Sequence, residues 1–210
     1  MNSQQQGLAD IQDIRRIMER SSRFISLSGW SGIAAGTCAL AGAGLAYHFI
    51  SQFQKGAVDI EALEYILLGI AAGVFAAAFL LAFLFTYARS RRAGVAIWGK
   101  AAQRLLFNTL VPLVAGGFVC LRMLETEYYG FIAPSCLIFY GLALVNGSKY
   151  TLGEIRWLGY SQVLLGIFNL WLPGNGLFFW ALGFGVLHII YGAVMWWKYE
   201  RSNTAGSANA

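Results

Sequence analysis

The feature that most limits what this chain can become is a series of long apolar runs with no polar face. Residues 65–87 contain no Asp, Glu, Lys or Arg. A soluble helix keeps a polar stripe for water, whereas a segment that is apolar all the way round is suited to a bilayer core. The composition fits lipid as solvent: 58% of the 210 residues are hydrophobic and 12% are charged, against about 25% charged in ordinary globular domains. Mean hydropathy is +0.57. The expected fold class is therefore all-α, a polytopic membrane helical bundle.

Six runs qualify as spans: residues 26–50, 63–87, 105–124, 128–145, 157–172 and 177–197. The first resembles a secretory signal because of Ala41 and Ala43, but the region before it is long and carries acids, and the run itself is long enough to cross. Pro112, Gly116 and Gly117 predict a kink in the third. The fifth run falls below the roughly 20 residues of an untilted span. A re-entrant hairpin of the fourth and fifth runs is the competing arrangement.

Ahead of the spans, Leu8, Ile11, Ile14, Met18 and Ile25 recur at helical spacing among charged residues, predicting an amphipathic helix over residues 8–25. It would lie on the membrane surface or dock a partner. The expected organisation is a lead-in helix over residues 1–25, a six-helix domain over 26–201 and a disordered tail over 202–210.

Orientation follows from the cations, because cytoplasmic loops carry the excess of Lys and Arg. With the N-terminus inside, Arg15, Arg16, Arg20, Arg23, Arg89, Arg91, Arg92, Lys100, Arg104, Lys149, Arg156, Lys198 and Arg201 are cytoplasmic, and only Lys55 and Arg122 are outside. Both termini are expected in the cytoplasm of a bacterial inner-membrane type of cell membrane. Trp30, Tyr87, Trp157, Trp196 and Trp197 then mark the inner boundary, and Tyr47, Tyr128, Tyr129, Trp171 and Trp180 the outer one. Topology also accounts for the net charge of +5, so no nucleic-acid partner is expected. The cations around residues 87–104 (Arg89, Arg91, Arg92, Lys100 and Arg104) are suited to anionic lipid headgroups.

The pentapeptide Gly-Ile-Ala-Ala-Gly occurs at residues 32–36 and again at 69–73. Both copies are GxxxG patterns, which let helices approach closely in lipid. One helix-packing seam is expected from Ser28, Gly32 and Gly36, and another from Gly69 and Gly73, used within the protomer or for self-association.

Chemical signals are few. Charged residues fall in loops or near helix ends, which argues against a proton-driven carrier. No phosphate loop, dinucleotide turn, HExxH or nucleophile elbow is present, so an enzyme is not the favoured reading and no cofactor is expected. Cys38, Cys120 and Cys136 show no CxxC or zinc spacing and read as small hydrophobes. His48 and His188 differ too much in depth to clamp one haem. His188 lies among glycines, and with Tyr191, Asn169 and Gln162 it would line a neutral pocket if the four converge; Asn108 and Asn146 are further polar candidates.

The expected function is a non-catalytic structural or accessory component of a membrane assembly, with membrane lipids, a second copy or a larger complex as partners. The alternatives are a transporter or binding protein for a small apolar or lipid-like molecule, and a haem-carrying electron-transfer protein built on His188.

Overall fold

The computed structural model describes residues 27–92, 94 and 98–201. The amphipathic helix, the segment 1–25 and the tail 202–210 fall outside the described residues.

Every regular element among the described residues is helical. We label six main helices α1 (Gly29–Gln54), α2 (Ile60–Arg92), α3 (Lys100–Glu125), α4 (Ile132–Gly147), α5 (Glu154–Leu170) and α6 (Gly176–Tyr199). Single 3-10 turns flank α4 and extend it to Tyr129–Tyr150. Five of the six, all but α5, are long and apolar enough to cross a membrane. Helix α5 has 17 residues, roughly 25 Å at 1.5 Å per residue, against a hydrocarbon core of about 30 Å.

The inner helices are stitched together by glycines. A Cβ at Gly36 of α1 would lie 2.6 Å from the Gly185 carbonyl oxygen of α6, and one at Gly192 would lie 2.7 Å from the Gly29 carbonyl oxygen. Helices α4 and α5 make the same close antiparallel approach: a Cβ at Gly141 would sit 2.7 Å from the Gly159 carbonyl oxygen, and one at Gly166 would sit 2.9 Å from that of Pro134. In lipid no hydrophobic force drives helix against helix, so such backbone contact supplies the packing attraction.

The outer helices differ. Helix α2 lies along α1, where Val74 and Ile70 cover Gly42, and it buries only Leu63 and Ser90. Helix α3 leans on α4, with Phe139 against Gly116, its single buried residue. The proline of α3, Pro112, lies inside a continuous helix.

At one end of the bundle, polar side chains tie the helices together. Glu200 accepts hydrogen bonds from the Gly29 backbone N–H (2.6 Å) and the Ser28 hydroxyl (3.2 Å), and pairs with Arg89 (3.1 Å). Arg89 also donates to the Leu27 carbonyl. A carboxylate at the start of α1 meets orphan N–H groups and the positive end of the helix dipole. Beside it, Glu154 at the start of α5 accepts from Lys198 (2.6 Å) and from the Tyr199 hydroxyl (3.0 Å).

Candidate functional site

The most enclosed polar cluster lies where α4, α5 and α6 meet. It is built around an irregularity that the sequence did not signal: α6 widens into a π-helical turn over Ala181–Leu187. Such turns are rare and are found often at functional sites. Here the glycines leave room for other helices: a Cβ at Gly183 would meet Leu137 of α4 and Gln162 of α5, and one at Gly185 would meet Leu40 of α1.

The Gly183 carbonyl accepts from Gln162 Nε2 at 2.8 Å and from His188 Nδ1 at 3.0 Å. A carbonyl can only accept, so Nδ1 carries a proton. In the neutral ring Nε2 then accepts from the Tyr140 hydroxyl of α4, 2.8 Å away. Phe184 stacks on the imidazole with ring planes 18° apart, and Trp180 packs against Phe184. Gln162 is fully buried and His188 is 7% exposed.

Of the four residues expected to converge, the structure joins Gln162 and His188. Tyr191 turns away, its hydroxyl 3.4 Å from Ser161 Oγ. Asn169 is two turns along α5 from Gln162, equally buried, and donates to the Leu172 carbonyl at 3.4 Å. Between α3 and α4 the Asn146 side-chain amide donates to the Asn108 backbone carbonyl at 2.8 Å. Among the described residues, Gln162 Oε1 and Asn169 Oδ1 are buried acceptors without a hydrogen-bond donor. Each can take a bond from a small N–H or O–H group, such as water.

Tyr140 was missed. Its signal was a tyrosine in mid-run, far from the interfacial belt where Tyr usually sits, because a buried phenol needs a partner. His48 is exposed and packs edge-on to Phe49.

The two copies of the pentapeptide have different surroundings. Gly32 and Gly36 lie against α6, and Gly29 extends their seam toward Trp196. Gly69 and Gly73 of α2 have open space where a Cβ would project. Ser28 is buried and bonded to Glu200, so it caps the seam and does not form its surface.

Two surface clefts of about 410 Å³ each lie near helix ends. Lys100, Gln103, Arg104, Phe107 and Asn108 line one, which brings together two of the expected lipid-contact cations. Arg91 and Arg92 are exposed, with Arg91 over the Tyr87 ring, whereas Arg89 is engaged by Glu200. Ser148, Glu154, Arg156 and Lys198 are among the residues lining the other. No group of three or more His, Cys, Asp or Glu side chains suited to a metal ion is present among the described residues. Comparison with protein families, with curated proteins and with solved structures finds no match to this chain.

Proposed function

We propose that this chain is a non-catalytic, six-pass component of a membrane assembly, with both ends on the cytoplasmic side of an inner-membrane type of bilayer, and that α2 is the helix it offers to its partner. Parity supports an even number of crossings, six or four. Ser28 and Glu200 are hydrogen-bonded, so the bundle begins and ends at one face, and a chain that leaves by the face it entered crosses an even number of times. Helix α4 with its flanking turns has 22 residues, which weighs against a re-entrant hairpin. Arg89, Arg156 and Lys198 make polar contacts at that same end, in keeping with a cytoplasmic, cation-rich face.

The observation that carries the partner role is the bare face of α2. Its 33 residues make it the longest helix among the described residues, no residue of its most apolar stretch is fully buried, and Gly69 and Gly73 form a small-residue ridge with nothing opposite. Lipid alone does not need such a ridge; a second helix packing by close backbone approach does. A binding pocket around His188 has less support, since the His188 ring nitrogens are already engaged by Tyr140 and the Gly183 carbonyl. Haem ligation would have to break the bond from Tyr140 to Nε2 or the one from Nδ1 to Gly183.

The test is Gly73→Leu, purified in native lipid and compared with the parent chain by native mass spectrometry and cross-linking. We expect the protomer to fold normally and its complex, with a second copy or another subunit, to weaken at least tenfold. An unchanged complex, or a parent chain found only as a monomer, would remove the proposal.

A further inference from the structure

The interface between α3 and α4 contains a feature that the sequence spacing conceals. Cys120 and Cys136 are 16 residues apart and belong to no recognisable motif, yet their sulfurs lie 3.6 Å from each other. Both are free thiols of intermediate exposure, and Cys120 is the less buried of the two. Next to them the Ser135 hydroxyl lies 3.4 Å from Met123 Sδ, so this end of the interface is lined by sulfur and small side chains.

Depth matters here. Cys120 is five residues before the end of α3 and Cys136 is four residues after the start of α4, so each is within roughly 8 Å of a helix end at 1.5 Å per residue. That end is opposite the Arg89 and Glu200 clasp. In the orientation proposed above it faces the non-cytoplasmic side, where thiols meet oxidising conditions.

We propose that Cys120 and Cys136 are a dithiol site that closes to a disulfide, fastening the peripheral helix α3 to α4. The oxidant is a disulfide of the thiol oxidoreductase class, written RSSR. The Cys120 thiolate attacks one sulfur of RSSR, releasing one RSH and leaving Cys120 in a mixed disulfide. The Cys136 thiolate then attacks the Cys120 sulfur and expels the second RSH. The two cysteines lose two electrons and two protons, and both pairs end on the two RSH molecules. Closing the bond brings the sulfurs roughly 1.5 Å nearer, to the usual 2.05 Å, a shift within reach of side-chain rotation because both groups sit on short stems. Helix α3 rests mainly on α4 and its flanking turns, so the bond would fix one of the two least buried helices in the bundle.

The proposal rests on the orientation read above, and the two can fail separately. The full chain in native lipid is treated with dithiodipyridine, unfolded, and tagged with a maleimide. We expect Cys120 and Cys136 to lose their tags and to appear in one cross-linked peptide, while Cys38, with no second thiol beside it, either stays free or carries a thiopyridyl group. The Cys38→Ser variant should go from two tags to none with an intact mass lower by about two units. Three tags retained, or a stable thiopyridyl adduct on Cys120 that Cys136 does not displace, would overturn the bond. In whole cells, an impermeant maleimide should label Tyr128→Cys, placed in the α3–α4 turn of a chain whose three native cysteines are Ser, from outside. Labelling only after the cytoplasm is opened would instead overturn the orientation, and with it the oxidising compartment the site requires.

Discussion

The same five residues, Gly-Ile-Ala-Ala-Gly, stand in α1 and in α2 and meet different fates. In α1 the glycines lie against the α6 backbone: a Cβ at Gly32 would be 3.1 Å from the His188 carbonyl oxygen, and one at Gly36 would be 2.6 Å from that of Gly185. In α2 the matching positions face open space. A GxxxG ridge therefore states that close approach is possible and says nothing about the partner. What selects α1 is complementarity, because Gly185 and Gly192 of α6 supply the matching hollows.

The comparison breaks most sharply at its first position. Gly36→Ala should destabilise the protomer by about 2–3 kcal/mol, since the added methyl meets backbone that cannot rotate aside. The measurement is unfolding in mixed detergent, and a loss under half of the lower figure would mean that the α1 and α6 seam is looser than described. A smaller effect is expected one layer behind the seam. Tyr140→Phe leaves His188 Nε2 without its donor while keeping the ring, and should cost about 1–2 kcal/mol for a buried acceptor left unpaired. A neutral result in the same assay would mean that this bond does not help to hold α6 in place. The smallest effect belongs to the second copy. Gly73→Ala should leave the isolated protomer unchanged or steadier by about 0.5–1 kcal/mol, as alanine favours a helix interior more than glycine does. A destabilised protomer would show that α2 packs through this face after all.

How much of this the sequence disclosed depended on the kind of information each feature needs. The apolar segments were legible because hydropathy is local, and the one run short of a full span, at residues 157–172, corresponds to α5, the helix that falls short in the structure. Which helix answers which glycine is not local, and neither the α1 and α6 seam nor the bare face of α2 was readable. Gln162 and His188 were singled out as polar residues in apolar surroundings, and they do meet. Tyr140 was overlooked because tyrosine is common at helix ends, and its mid-helix position draws attention only once His188 is seen opposite. The π-helical turn was not read from residues 181–187 themselves, and the neighbours of its glycines, Leu137, Gln162 and Leu40, come from three other helices. The proximity of Cys120 to Cys136 is likewise a product of how α3 lies on α4.

The clasp between Ser28, Gly29 and Glu200 has a consequence for how such a chain is made. The first and last of the six helices described are mutual neighbours, so α1 leaves the ribosome well before the helix it packs against. At cellular synthesis rates of about 5–20 residues per second, on the order of ten seconds separates the emergence of Gly36 from that of Gly192. Throughout that interval the glycine face of α1 is without α6, and any helix with a suitable hollow competes for it, until residue 200 is released and the ring of contacts closes on itself.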